Sequence, residues 1–354
     1  MNRFAVTLVL ANISLFSAES LTDRISILEE KMADVRTQTV YGNYGANTAK
    51  AFPNLNSYGV SIWADAVVYK FFVGGTDYVY TDTEASATLF SGTLNDLNFN
   101  WAWGFKVGLG YQIGQLPGWQ IWSEYTRFVT DESSTTARPT GGALFPNYQN
   151  TLLTAYSSTT THWDAHYNVV DLDFGRNYFL RGNFSVFPRF GVRGAWILQN
   201  QTASAPHATA GTLSTTAHTD FRGVGILGGT QARWNFNKNW SFFGDFGASL
   251  IWGEVDVSLD TTQSPGEQTP LTVKYSDADL HRILPNMSWE SGLRWEMPLI
   301  SNRTNLSFEL SYEFAYWWRI NQELRGKSTN SALFGRVSED LGLNGVKISG
   351  AFDF

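Results

Sequence analysis

The sequence predicts an all-β fold: a transmembrane, up-and-down antiparallel β-barrel of about ten strands, with a short N-terminal helix after a signal peptide. Three observations predict it. The stretch Leu97–Gln112, LNFNWAWGFKVGLGYQ, alternates apolar with polar or small residues without a break, the mark of a strand with two unlike faces. It is far longer than the ~5–6 residues usual for a strand in a soluble protein. It matches the ~9–11 residues a tilted strand needs to cross a bilayer, with interfacial ends added. Such stretches recur down the chain, and the connections between them run long, short, long, short. That pattern is what an outer-membrane barrel requires, with both termini on the periplasmic side.

Composition agrees. The 354 residues are 15% aromatic but only 16% charged, with 32 glycines. Mean hydropathy is slightly negative although 43% of residues are hydrophobic. A barrel shows lipid only every second side chain, so a polar average is compatible with crossing a membrane. Beyond the N-terminus no apolar run reaches the ~18 residues of a spanning helix. The net charge of −7 argues against a nucleic-acid partner. The absence of cysteine excludes disulfides, thiolate metal sites and cysteine nucleophiles. No cofactor or metal is expected.

In chain order, residues 1–19 read as a signal peptide: Met1–Arg3 is positive, Phe4–Phe16 mostly apolar, and Ser17, Ala18, Glu19 and Ser20 small or polar. Residues 20–38 carry Leu21, Ile25, Leu28, Met32 and Val35 at alternating four- and three-residue spacing, a heptad seam. Two readings stand for it: a helix packed at the barrel mouth, or a periplasmic coiled coil making a homo-oligomer through residues 21–36. Residues 39–57 form a Gly/Asn/Thr linker, and residues 58–354 the barrel.

The expected strands are Val60–Val68, Leu97–Gln112, Trp119–Phe128, Asn168–Tyr178, Phe184–Leu198, Val224–Phe236, Trp240–Trp252, Met287–Met297, Leu306–Ile320 and Gly342–Phe354. Short turns at Gly114–Gly118, Arg181–Asn183, Asn235–Asn239 and Pro298–Arg303 join them in pairs. The segments Val73–Asp96, Thr130–His162, Asn200–Thr219, Glu254–Leu280 and Gln322–Glu339 lack clear periodicity and read as long polar loops. Trp103, Trp119, Tyr178, Trp196, Trp252, Tyr316 and Trp318 lie toward strand ends on the lipid parity, where interfacial aromatic girdles form.

Parity also assigns the lumen. Asp65, Lys106, Glu124, Asp171, Asp173, Arg189, Arg193, Arg233, Asp245, Glu290, Arg294, Glu309, Glu313, Arg319 and Lys347 should point inward as pore-lining residues. Facing lipid at mid-strand, an Arg or Lys would cost ~2–4 kcal/mol. The short turns set registers that place Asp171 opposite Arg193, Lys106 opposite Glu124 and Arg294 opposite Glu309, so the interior should be braced by ion pairs. Inward Gly104, Gly108, Gly110, Gly223, Gly225 and Gly229 should leave space, and Trp122, Phe187, Phe243 and Trp317 should take it. Ten strands lie near the filled end of the barrel series, so any pore should be narrow. Inward acids slightly outnumber inward bases, which favours weak cation preference.

Several stretches are similar to the Legionella-type major outer membrane protein family, which is also expanded in chlamydia-like bacteria. They are Gly45–Lys70, Trp103–Tyr111, Gly118–Phe128, Val169–Phe179, Phe187–Ile197, Ser288–Glu296, Leu310–Gln322 and Gly345–Phe354. The resemblance implies a pore-forming outer-membrane barrel. It also implies that the aromatic C-terminus, Phe352 and Phe354, is the signal read by the outer-membrane assembly machinery. It transfers no solute.

The expected function is a porin-like channel for small solutes or ions. The alternative is a surface-exposed structural or adhesin barrel with a closed lumen, whose long loops offer host-surface contacts. A clear axial path favours the first; a lumen sealed by Arg189, Arg193 and their acids favours the second. Outer-membrane proteases also use ten strands, with acids and a His near the outer rim. Here His162, His166, His207, His218 and His281 fall in or near loops, with Asp164 and Asp171 near His166. Such surface groups are ordinarily just solvated, and no enzyme is expected.

Overall fold

In the computed structural model the described residues are 59–353, apart from 84–90, 114–115, 117, 148–155, 182, 238, 265–270, 300–303 and 327–333. The signal peptide, the heptad helix, the linker and Phe354 therefore lie outside the described residues.

In chain order the strands are β1 (Gly59–Val73), β2 (Asp77–Asp82), β3 (Gly92–Asp96), β4 (Trp101–Gln112), β5 (Trp119–Ala137), β6 (Ala143–Pro146), β7 (Ser158–Arg176) and β8 (Tyr178–Arg181). They continue with β9 (Phe184–His207), β10 (Gly211–Asn235), β11 (Trp240–Gln263), β12 (Leu271–Leu299), β13 (Thr304–Asn321), β14 (Leu324–Gly326), β15 (Phe334–Arg336) and β16 (Glu339–Asp353). Ten of them, β1, β4, β5, β7, β9 to β13 and β16, form a closed antiparallel barrel. The first and last strands zip together from Ser61↔Asp353 to Val73↔Leu341. Closure gives each of the ten strands two neighbours, which hydrocarbon demands because it offers no water to a free N–H or C=O.

The two faces separate as the alternation requires. On the outside Trp103 is 71% exposed, Ile226 69% and Leu310 56%. On the inside Lys106, Arg193 and Lys347 are buried. A wall that is apolar outward and ionic inward is the arrangement lipid selects.

Three sequence expectations need correction. First, the unbroken alternation of Leu97–Gln112 is not one strand. β4 starts at Trp101, and Leu97 and Phe99 leave the lipid side to join the buried core. Phe99 packs edge-on against Phe71 and Trp163. Second, much of the supposed long loops is strand. β9, β10, β11 and β12 have 24, 25, 24 and 29 residues, more than twice the ~9–11 that cross a bilayer. The polar segments are the far halves of hairpins that carry the wall well past the membrane. Their inward positions are filled by Thr159, Thr161, Gln199, Gln201, Thr215, Ala217, Val257 and Leu259. Third, the space above inward glycines is largely occupied. The Trp63 ring lies on Gly108, and the Arg189 side chain lies by Gly229 and Gly247.

At the far end β2, β3 and β6 form a small separate sheet, and β14 pairs with β15. Leu324 of that second hairpin and Tyr78 and Val79 of β2 are buried in the same apolar cluster as the barrel's aromatic residues.

Candidate functional site

The lumen divides into two unlike halves. Toward the short turns it is a cavity of about 930 Å³ lined by charge. Gly59, Gln112, Gln120, Asn177, Asn235, Asn239, Asn305 and Asp353 stand at its mouth, all at the short-turn ends of strands. Its deep end is lined by Tyr69, Tyr167, Val169, Ala315 and Leu343. There an aromatic layer begins. Trp317 is fully buried, with Tyr167 and Phe221 edge-on to it at 6.1 and 6.2 Å between ring centroids. Tyr69 meets Phe128 at 5.6 Å in the same manner. Edge-to-face rings fill such a space favourably. Beyond them the interior stays packed with buried apolar residues, including Phe71, Trp163, Val255 and Leu341. Among the described residues this layer, not the arginines and their acids, bounds the deep end of the cavity.

Every sequence-assigned pore-lining residue except one lines the charged cavity: Asp65, Lys106, Glu124, Asp171, Asp173, Arg189, Arg193, Arg233, Asp245, Glu290, Arg294, Glu309, Glu313 and Lys347. The exception is Arg319. Strand β13 breaks its register with β16 between Trp317 and Asn321, and the Arg319 backbone turns left-handed at φ 55°. That irregularity throws the side chain out of the inward series, and Arg319 is exposed.

The charges are knitted in clusters. Arg193 bonds Asp171 twice, at 2.7 and 2.6 Å, and also reaches Asn286 Oδ1. Arg189 forks onto Asp245 at 2.5 and 2.6 Å, with Asp173 at 4.0 Å. Lys106 donates to Glu313 at 2.7 Å and lies 3.6 Å from Glu124. Glu313 also accepts from the Tyr69 hydroxyl at 2.6 Å. Lys347 lies 2.7 Å from Glu290, 3.8 Å from Asp65 and 3.9 Å from Glu309. Arg294 bridges Glu309 at 2.9 Å and Glu296 at 2.6 Å, and Arg233 joins Glu296 at 3.0 Å. Paired guanidinium–carboxylate forks of this kind fix geometry as well as charge.

Two of the three expected registers are met: Asp171↔Arg193 and Arg294↔Glu309. The third is slipped by two residues. Lys106 faces Thr126 and Glu124 faces Gly108; the Lys106–Glu124 pair survives as a diagonal contact, which Lys is long enough to make. Sequence parity missed Glu296 and Asp353, which also line the cavity. Both sit on an inward series already recognised, Glu290–Arg294 and Lys347, and extending it by one or more steps of two would have found them. Ten carboxylates and six bases line the cavity in all.

Of the residues considered for hydrolysis, His166 and Asp164 come together, Nε2 to Oδ2 at 3.9 Å, and Asp171 stands apart. Asp171 points into the lumen, held by Arg193, while Asp164 and His166 have the opposite parity on β7 and face outward. Asp164 accepts from Asn200 at 2.9 Å, and Asn200 Oδ1 lies 2.5 Å from His218 Nδ1, so this is a hydrogen-bonded patch on the outer wall. Elsewhere Glu254, Asp256 and Asp279 bring carboxylate oxygens within 4.8 Å of one another at a bulge of β11 against β12.

A closed antiparallel barrel of ten strands with an apolar exterior and an ion-paired interior is an outer-membrane β-barrel. Residues 54–354 match the model of the family described as Legionella pneumophila major outer membrane protein precursor. The chain belongs to that family. No curated protein sequence matches it. The solved structures similar to it are of low identity. The outer membrane protease OmpT from Escherichia coli is 11% identical, with 85% of this chain and 97% of that one covered at a TM-score of 0.42. A major outer membrane protein from Thermus thermophilus is 12% identical, with 84% and 99% covered at 0.33. A Pseudomonas aeruginosa FadL homologue is 10% identical, with 86% and 91% covered at 0.26.

Proposed function

We propose that this protein is an outer-membrane channel for small ions or hydrophilic solutes, entered from the short-turn end and gated at the aromatic layer. The observation that carries this reading is the charged cavity itself. It lies behind the stretch of wall whose outer face carries Leu109, Val192 and Leu310, and its mouth is at the short-turn ends of the strands. Its excess of carboxylates favours cations. Family membership supports the same reading. Apolar constrictions are a known way to interrupt conduction, since water leaves a narrow greasy passage. A second reading is favoured by the packed far half: a closed barrel that anchors long surface hairpins, with host-surface contacts made by their tips.

Both termini of the barrel sit at the short-turn end, which belongs in the periplasm, and the long hairpins face outward. Phe352 and Phe354 serve as the assembly signal. The heptad at residues 21–36 remains the candidate homo-oligomer contact. Conductance of the purified full chain in planar bilayers tests the channel reading. Ionic current with a reversal potential shifted toward cations is the expected result; a silent, correctly folded barrel supports the anchor.

A further inference from the structure

The barrel wall has a wedge-shaped gap. Strand β12 pairs with β13 only from Leu299↔Thr304 to Asn286↔Trp317. Beyond that point β12 continues to Leu271, and among the described residues its strand pairing there is with β11. Strand β13 meanwhile bends away at Trp318–Arg319, where its ladder to β16 is interrupted. Pro285 stands where the pairing ends, and a residue without an N–H is tolerated at an edge. The gap holds a cavity of about 590 Å³ lined by Arg282, Ile283, Leu284, Pro285, Trp318 and Arg319.

The chemistry of this wedge is two-sided. Ile283 is 66% exposed and lies across from Trp252, itself 58% exposed, so its mouth adjoins the lipid-facing belt. Leu284 is buried at its back. Above this apolar floor the charge is positive. Arg319 and Arg336 repel Arg282, and Asp277 is the carboxylate that acts on it. Asp277 is already engaged by Arg336. The Arg282 Nε is buried and has no hydrogen-bond partner among the described residues. A buried guanidinium N–H without an acceptor is costly, and an anion is what satisfies it.

We infer that the wedge binds a phosphorylated glycolipid of the outer leaflet, with a phosphate on Arg282 and Arg319 and an acyl chain against Ile283, Leu284, Pro285 and Trp318. Arginine favours phosphate because its fork matches the oxygens. An apolar crevice beside it selects an amphiphile over a free ion. This inference needs the outer-membrane setting and is independent of whether the lumen conducts.

The test uses the full chain in neutral detergent, titrated with diphosphoryl lipid A, dephosphorylated lipid A and inorganic phosphate, and read by native mass spectrometry. Diphosphoryl lipid A should bind, and Arg282→Ala/Arg319→Ala should weaken it by about tenfold or more. Arg319→Gln alone, at an exposed position that leaves the fold intact, should weaken it by a smaller factor. Arg222→Ala, an exposed arginine on β10, should change nothing. Equal binding by the double variant would overturn the site. Equal binding of dephosphorylated lipid A would overturn the phosphate contact, and occupancy by inorganic phosphate to the same extent would overturn the amphiphile.

Discussion

Trp317 and Tyr167 meet across the barrel interior: the indole Nε1 donates to the phenol oxygen at 3.3 Å, between strands 150 residues apart in sequence. Both rings are buried, and they sit where the charged cavity stops. The contact therefore sits at the boundary between the charged half of the lumen and the apolar half. Trp317→Ala should leave a cavity and cost about 3–5 kcal/mol. Denaturant-induced unfolding in detergent micelles, followed by the folded-barrel shift on gels, measures it. Tyr167→Phe keeps the ring and loses only the hydroxyl, so it should cost about 1 kcal/mol.

Arg193 supplies a second prediction. It is buried and its charge is met by Asp171, with Asn286 completing its bonds. Asp171→Ala leaves an uncompensated buried cation and should destabilise the barrel by about 3–5 kcal/mol. Asp171→Leu/Arg193→Met should cost clearly less than the sum of its single changes, because the buried pair is removed as a unit. Additive losses in the same unfolding assay would show that the pair is not coupled.

Facing matters more than position along the strand. Leu310→Arg on the outer face should cost about 2–4 kcal/mol near the bilayer midplane. Ser311→Arg, the next residue, enters the lumen beside Lys347 in register and is penalised by crowding and like charge rather than by lipid. Refolding yield into vesicles of graded thickness separates the two, since only the first should vary with membrane thickness.

The chain has no cysteine, so orientation can be read with single introduced thiols. Thr209→Cys, exposed in the long β9–β10 hairpin, should label on intact cells with a membrane-impermeant maleimide. Asn237→Cys, in the short turn between β10 and β11, should label only after lysis. The reverse pattern would invert the assigned topology.

Legibility in the sequence follows the contrast between the two faces of the wall. Where one face meets hydrocarbon and the other carries charge, as along Leu306–Trp318 or Trp101–Gln112, parity found both the strand and its lumen residues. Where the wall leaves the membrane the contrast vanishes. Thr159 and Thr161 are completely buried, and Thr215 and Thr261 nearly so, yet their outward neighbours are Thr, Ser, Asp or His, polar as well. Period two is still present in the backbone, but small polar residues on both faces hide it. Leu97 and Phe99 failed for the opposite reason: their alternation with Trp101 is perfect, and only the tertiary turn into the core separates them. Arg319 was lost to a bulge that no residue type announces. The aromatic layer was half visible, because Trp317 was recognised as inward while its partners Tyr167 and Phe221 lay just outside the expected strands Asn168–Tyr178 and Val224–Phe236.

The aromatic layer is the barrier between the two halves of the lumen, and the gated-channel reading stands or falls with it. Single-channel recording of the wild type and of Trp317→Ala/Phe221→Ala in planar bilayers tests it directly. The wild type should show small or infrequent openings, and the double variant a larger and steadier cation-preferring current. Equal conductance in the two proteins, with both verified as folded, would contradict it.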